Sequence, residues 1–446
     1  MPEANIYNPQ HKQYTKHMQE NSQYAVGLDI GTTKVRTIVA HIDSTTGVPT
    51  IVGVGQSPNT GMRKGIVVNL HGPGQAIDSA LGEAERMSGY QVHGAAVSVN
   101  GSHILTTHTD GMVAVGAGDH EISPEDLERI KEVATLGKIP ANRDILDVVP
   151  HSYRLDGQDG IKDPVGMTGT RLEIDAHVVS ALTPYLVNVE KTAESAQVTP
   201  HAIIPTAIAA AKAVLSESQL ENGVAVIDMG GATTSVAVYE EGDLQYTGVL
   251  SIGGNNITND LAIGLKTDPE IAEIVKVKHA SAVGVQTTES GSSAGTISVK
   301  HDKETYVFPL EDMNEIIEAR LEEIFDGIQA HLKKAGRAGR LPGGVVLVGG
   351  GAKLKSITDY AKEALGLSAR LGQPSGFGGV ADDIDKLEFA TAIGLMLADS
   401  EQNPLPEKRG GKIKSPFSGS SSKSGSKIKT GDIKGKASKI FGWFKP

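Results

Sequence analysis

Residues 27–36 read Gly-Leu-Asp-Ile-Gly-Thr-Thr-Lys-Val-Arg, and the same grammar returns at 226–235 as Val-Ile-Asp-Met-Gly-Gly-Ala-Thr-Thr-Ser. In each stretch an apolar strand ends on an aspartate, Asp29 or Asp228, and runs into a glycine turn. Glycine lets a backbone approach a ligand closely, and the hydroxyls and amides of such a turn can face phosphate oxygens. The candidate contacts are Gly31, Thr32 and Thr33 in the first turn and Gly230, Gly231, Thr233 and Thr234 in the second, with Lys34 as a neutralising cation. Together the two turns suggest a clamp closing on phosphates from opposite sides. Asp29 and Asp228 are placed to hold hydrated Mg²⁺, an ion that keeps several waters and takes one or two carboxylates. A third turn, Gly349-Gly350-Gly351-Ala352-Lys353, follows a run of aliphatic residues and is expected to open a helix. The N-terminal amides of that helix would suit a nucleotide's α-phosphate or sugar. Any one such turn is also ordinary hairpin grammar. Their joint occurrence carries the reading.

Working outward, AVGLDI, KVRTIVAHI and TIVGVGQ read as a three-strand meander, and GVAVIDMGG, ATTSVAVYEE and DLQYTGVLSI repeat it in the second half. Short strands alternating with helical segments imply an α/β chain, and the internal repeat implies two related halves. Ile77, Leu81, Ala84 and Met87 define one helix face. Ile317, Leu321, Ile324, Ile328 and Leu332 define another, both at the spacing of an amphipathic helix. Residues 104–180 differ in texture, with three strands and one helix capped by Ser123-Pro124-Glu125-Asp126, and read as an inserted subdomain.

The chain has 446 residues and no cysteine, which removes disulfides, thiolate metal sites and cysteine nucleophiles and fits a reducing compartment. No apolar run reaches the length of a membrane span or resembles a signal peptide. The expectation is a protein that stays in the cytoplasm, with residues 1–23 as a disordered polar arm. Net charge is -11, yet residues 401–446 hold eleven Lys or Arg against three acids. An acidic body repels nucleic acid, so no nucleic-acid partner is expected, and the basic tail reads as a separate surface-binding device. Residues 400–432 are a Pro, Gly, Ser and Lys linker. Beyond it, Ile433, Ala437, Ile440, Phe441 and Phe444 fall on one helical stripe with Trp443 at its edge, while Lys439 and Lys445 lie outside it. Such a helix would lie on anionic membrane lipid, each large apolar side chain contributing about 1.5 to 3 kcal/mol and each lysine about 1 kcal/mol.

Two Asp-x-Gly turns within repeated meanders, followed by a Gly-Gly-Gly turn, resemble the actin, Hsp70 and sugar-kinase superfamily. Within it the chain resembles the FtsA family of actin-like bacterial cell-division proteins from Tyr24 to Asp399. GLDIGTTKVR at 27–36, RKGIVVNL at 63–70 and the long segment VVPHSYRLDGQDGIKDPVGMTGTRLE at 148–173 carry the resemblance, with AEIVKVKHA at 272–280 and IIEARLEEIF at 316–325. It implies an actin-like ATPase fold of two duplicated halves around a nucleotide cleft. The implied division is subdomain 1A at 24–103, 181–218 and about 380–399, and an SHS2-type subdomain 1C at 104–180. Subdomain 2A would span 219–258 and 340–379, subdomain 2B 259–339, and a membrane-targeting helix 433–446. It further implies ATP with Mg²⁺ as ligand, Glu273 and Lys276 at the adenosine, and a 2B helix carrying Arg320 where the C-terminal tail of FtsZ docks. The bland reading of Glu273 and Lys276 is an i, i+3 ion pair. Self-association into protofilaments, recruitment of other divisome proteins and a place on the cytoplasmic membrane face at the septum follow from the same resemblance. One departure is Ala232, where many members have a third glycine. No residue stands out as orienting an attacking water; Pro205-Thr206 is the nearest candidate, so at most slow ATP hydrolysis is expected. A PilM-like pilus assembly protein and a sugar kinase are the alternative readings.

Overall fold

The computed structural model describes residues 24–43, 45–116, 120–284, 295–379 and 386–402. The linker beyond residue 402, the membrane candidates Ile433, Ala437, Lys439, Ile440, Phe441, Trp443, Phe444 and Lys445, and the arm at 1–23 lie outside the described residues.

The first half opens with β1 (Tyr24–Ile30), β2 (Lys34–Ile42) and β3 (Pro49–Pro58), an antiparallel meander. A small hairpin, β4 (Met62–Arg63) and β5 (Ile66–Val67), leads to helix α1 (His71–Ser88) and strand β6 (Gly94–Val99). An insertion follows: β7 (Leu105–Ala114), α2 (Pro124–Thr135), β8 (Arg143–Leu155), β9 (Gln158–Ile161) and β10 (Arg171–Leu182). Its four strands form their own antiparallel sheet in the order β7-β10-β8-β9. The Ser123 hydroxyl accepts the Asp126 amide, and the Asp126 carboxylate accepts the Ser123 amide at 3.0 Å. Helix α2 thus starts on a capping box, which satisfies two otherwise orphaned donors.

Helix α3 (Thr183–Ser195), strand β11 (Thr199–Pro205), helix α4 (Thr206–Val214) and helix α5 (Glu217–Asn222) follow in the first half. The second half repeats the meander as β12 (Val224–Met229), β13 (Thr234–Glu240) and β14 (Asp243–Leu250). Helices α6 (Gly254–Gly264) and α7 (Pro269–His279), hairpin β15 (Thr296–His301) and β16 (Glu304–Pro309), and helix α8 (Leu310–Lys334) are added to it. Then come β17 (Val345–Val348), α9 (Ile357–Leu365), β18 (Ala369–Leu371), β19 (Gly378–Gly379) and α10 (Ala390–Gln402).

The two main sheets run β11-β6-β1-β2-β3-β19 and β14-β13-β12-β17-β18. In each, an antiparallel meander continues into parallel strands on its first-strand side, β6 and β11 beside β1 and β17 and β18 beside β12. The duplication read in the sequence is therefore a duplication of topology. Strands β1 and β12 are almost wholly buried, as expected for central strands covered on both faces.

Helix α10 crosses the first half at close range. A Cβ at Gly394 would lie 1.7 Å from the Ala209 carbonyl of α4, and one at Gly27 would lie 2.0 Å from the Ala392 carbonyl. Only glycine allows these backbone approaches. At its far end the Asp399 carboxylate accepts the Val26 amide of β1 at 2.8 Å and contacts His201 Nδ1 at 2.7 Å.

Three details differ from the sequence reading. Gly350–Lys353 is a single 3-10 turn, not the start of an α-helix; α9 begins at Ile357, after Ser356 in a left-handed conformation. The stretch AIAAAKAVLSES at 207–218, whose composition reads as one helix, breaks after Val214, where Ser216 caps the separate helix α5 with Gln219. Met87, assigned to the buried face of α1, is 51% exposed, whereas Ile77, Leu81 and Ala84 are buried. All five residues proposed for the apolar face of α8 are buried.

Candidate functional site

The two aspartate-led hairpins have the same local construction. Asp29 pairs across its hairpin with Arg36, and Asp228 with Ser235. The turns close identically, Gly31 N donating to Lys34 O at 3.1 Å and Gly230 N to Thr233 O at 2.8 Å. None of Gly31, Gly230, Gly231 or Ala232 has a positive φ, so Ala232 is accommodated without strain. Glycine serves here for space. A Cβ at Gly31 would lie 2.6 Å from the Lys34 carbonyl, and one at Gly231 would lie 2.6 Å from Thr33 Cγ2. The second contact joins the halves: the two turns meet.

Among the described residues, no acceptor takes the amides of Thr32, Thr33, Gly231 or Ala232. Unpaired amides in consecutive turn positions form a concavity suited to an anion. The carbonyls on the other side of the second turn are engaged. Gly254 N donates to Gly230 O at 3.0 Å and Asn255 N to Gly231 O at 2.7 Å, which pins the turn to the start of α6.

The turns open onto a cleft of about 740 Å³, ample for a nucleotide-sized ligand. Asp29, Gly31, Thr32, Thr33 and Lys34 line one wall and Asp228, Gly230, Gly231 and Thr233 another. Thr234 does not join them. It is fully buried in β13 and donates its hydroxyl to the Ile252 carbonyl at 2.8 Å, because it falls on the other side of the strand from Thr233. Gly349, Gly350, Gly351 and Lys353 also line the cleft. Gly349 holds φ at +83°, and a Cβ there would lie 2.4 Å from Asp228 Oδ1. Lys353 is paired with Glu388 at 2.7 Å.

Glu273 and Lys276 on α7 also line the cleft, with apolar Ile257, Val277 and Leu354. They form the expected i, i+3 pair at 2.6 Å, and Lys276 also donates to the Thr258 hydroxyl and the Gly254 carbonyl at 2.7 and 3.1 Å. The pair is thus an ion pair that also lines the cleft.

Asp29 and Asp228 are nearly buried at the cleft floor, 7% and 9% exposed. Burial raises the pKa of Asp29, offset by Arg36 and the Ser98 hydroxyl. Burial and then the charge of Asp29 raise Asp228 to about 6, against hydroxyls from Thr206 and Thr391 and the charge of Arg36. Two desolvated carboxylates beside one anion nest fit a small divalent cation. Among the described residues no group of three or more His, Cys, Asp or Glu could hold a metal. Such a cation would thus complete its shell with water and phosphate oxygens.

The sequence reading missed Asn100, which follows β6. Its amide donates to Thr233 Oγ1 at 3.0 Å and accepts from Ser235 Oγ at 3.1 Å, tying the first half to the second turn. It also missed Arg36 and Thr391, both lining the cleft. Thr206, noted only as the nearest candidate, lines it too and donates to Ser235 Oγ at 3.1 Å. Arg320 lies elsewhere, on α8, bonded to Asp260 at 3.0 Å and to Glu323.

Residues 225–394 match the family described as cell division protein FtsA, and residues 101–180 match the SHS2 domain inserted in FTSA. The chain is 34% identical over 378 residues to the cell division protein FtsA of Pseudomonas aeruginosa, covering 85% of this chain and 89% of that one. It is 36% identical over 376 residues to the Bacillus subtilis protein of the same name, covering 84% and 83%. Among solved structures it is similar to the PilM-PilN type IV pilus biogenesis complex, with a TM-score of 0.61 at 17% identity over 84% of this chain and 98% of that one. That likeness supports the actin-like ATPase fold and nothing finer.

Proposed function

This chain belongs to the FtsA family of cell division proteins, and on that premise we propose that it binds Mg·ATP in the cleft, polymerises on the cytoplasmic membrane face and tethers the FtsZ ring there. The observation that carries the nucleotide reading is the meeting of the two turns, Thr33 against Gly231, with four unpaired amides around them. Phosphates would lie between the turns, received by those amides and the hydroxyls of Thr32, Thr33 and Thr233. Bound Mg²⁺ would offset phosphate charge through its waters, with Asp29 and Asp228 holding the hydrated ion. The Gly349–Gly351 turn would border the sugar, with Glu273 and Lys276 at the adenosine.

Thr206 hydrogen-bonds Ser235 and is no general base at neutral pH, which supports binding with at most slow hydrolysis. Subdomains 1A, 1C, 2A and 2B would follow the boundaries given above. The α8 surface around Arg320 would receive the C-terminal tail of FtsZ. Residues 433–446 would lie on anionic lipid, and polymerisation would strengthen that attachment because linked sites raise effective concentration. Among the described residues no helix is long and apolar enough to cross a membrane. Later division proteins would join at the septum through the same filaments.

The test is co-sedimentation of purified protein with FtsZ and anionic vesicles, with ATP or without nucleotide, for the full chain and a chain lacking residues 430–446. FtsZ should pellet with vesicles only with the full chain, and more with ATP. Recruitment that survives the deletion would contradict the tethering role.

A further inference from the structure

Arg36 is a charged group of the cleft to which the clamp reading gives no role. It sits on β2 directly across from Asp29, and cross-strand partners share a face. Lys34, two residues earlier, lies on that face as well. Lys34 is exposed at the rim while Arg36 is only partly exposed. Lys276 and Lys353 are committed to Glu273 and Glu388. Arg36 is not committed. Its Nε is buried with no hydrogen-bond partner, and no ion pair joins it to another described residue. Its guanidinium carbon stands 5.4 Å from the Phe389 ring centroid. A ring beneath the guanidinium orients its plane while leaving the N–H donors free.

The charge of Arg36 reaches Asp29, Asp228 and Glu388 without bonding any of them. The terminal nitrogens of that guanidinium have no hydrogen-bond partner among the described residues either, and an acceptor supplied by a ligand would take them. The apolar lining at Ile257, Val277 and Leu354 suits a base. A phosphate chain held between the two turns would lie close to Asp29 and Asp228, the residues from which the turns spring, and Arg36 stands across from Asp29.

The geometry points to Arg36 as the residue that binds the terminal phosphate of the nucleotide, making the cleft selective for a nucleoside triphosphate over a diphosphate. This rests on the clamp reading. The guanidinium fork matches phosphate oxygens two at a time, which a lysine cannot copy.

The experiment compares ATP and ADP affinity in excess Mg²⁺ for the full-length wild type, Arg36→Ala and Arg36→Lys. Wild type should prefer ATP. Arg36→Ala should lose about 10- to 100-fold in ATP affinity and less than about threefold in ADP affinity, as for a charged hydrogen bond made only to the last phosphate. Arg36→Lys should fall between. If Arg36 were only a countercharge for Asp29, both affinities would move together, and an unchanged ATP/ADP ratio in Arg36→Ala overturns the inference. Should Arg36→Ala fail to fold by circular dichroism, Arg36→Lys decides by the same ratio. A wild type that binds neither nucleotide overturns the clamp itself, a result distinct from an unselective one.

Discussion

Thr33 and Gly231, one from each half of the duplicated chain, stand so close that a Cβ on Gly231 would lie 2.6 Å from Thr33 Cγ2. The gap between the halves is thus set by the missing side chain. Gly231→Val would wedge the turns apart, at an overpacking cost of about 1–3 kcal/mol. Because the strain falls on two surface-reaching turns, nucleotide affinity measured by calorimetry should drop at least about tenfold. The ligand-free melting temperature should fall only a few degrees, roughly as for a small local strain.

The carboxylate pair gives a pH signature. Asp228 titrates near 6 when folded, raised from an ordinary 3.8 by burial and Asp29. A raised carboxylate pKa means the folded state holds its proton longer. The associated stability is present below about pH 4 and lost as pH rises through about 6. Asp228→Asn carries no such charge, so at pH 7 the ligand-free variant should exceed wild type by of order 2–3 kcal/mol, with the gap closing by about pH 4. Urea titrations at several pH values read this directly; a gap that does not change with pH would contradict it. The same variant should lose Mg²⁺-dependent nucleotide binding.

Asn100 holds Thr233 and Ser235 from the other half. Asn100→Ala removes both bonds at a cost of about 1 kcal/mol each in stability. A looser second turn should weaken nucleotide binding about tenfold, with fluorescence displacement as the measurement.

Gly394 marks the approach of α10 to α4, with the Ala209 carbonyl 1.7 Å from any added Cβ. Gly394→Ala must shift backbone, and denaturant titration should show a loss of about 1–3 kcal/mol or more. Since Thr391 at the start of α10 donates to Asp228 at 3.4 Å, the shift should also reach the cleft and reduce nucleotide affinity.

What the sequence made legible was local. An aspartate, a glycine turn and the next strand are contiguous, so both hairpins and the repeat could be read from 27–36 and 226–235 alone. The apolar face of α8 was legible because five residues repeat at helical spacing. What escaped depended on distant partners. Asn100 looks like a turn residue until Thr233 and Ser235 are brought to it, and Arg36 looks like an outward strand charge until β1 and Phe389 enclose it. Strand β11 leaves little local trace, because Pro200 and Pro205 bracket it between two helices and its pairing with β6 is parallel and nonlocal. Thr234 was misjudged by one residue of strand alternation, which a turn motif does not specify. The Gly349–Lys353 turn was extended into a helix because periodicity does not mark where a 3-10 turn stops.

The claim on which the rest stands is that turns from both halves close on one Mg-nucleotide. Titration of the full-length protein with ATP, in Mg²⁺ and in chelator, beside Gly231→Val, tests it most directly. The account predicts one ATP per chain, bound more tightly with Mg²⁺ and at least about tenfold more weakly by the variant. No ATP binding by the wild type, or equal binding by a folded Gly231→Val, would contradict it.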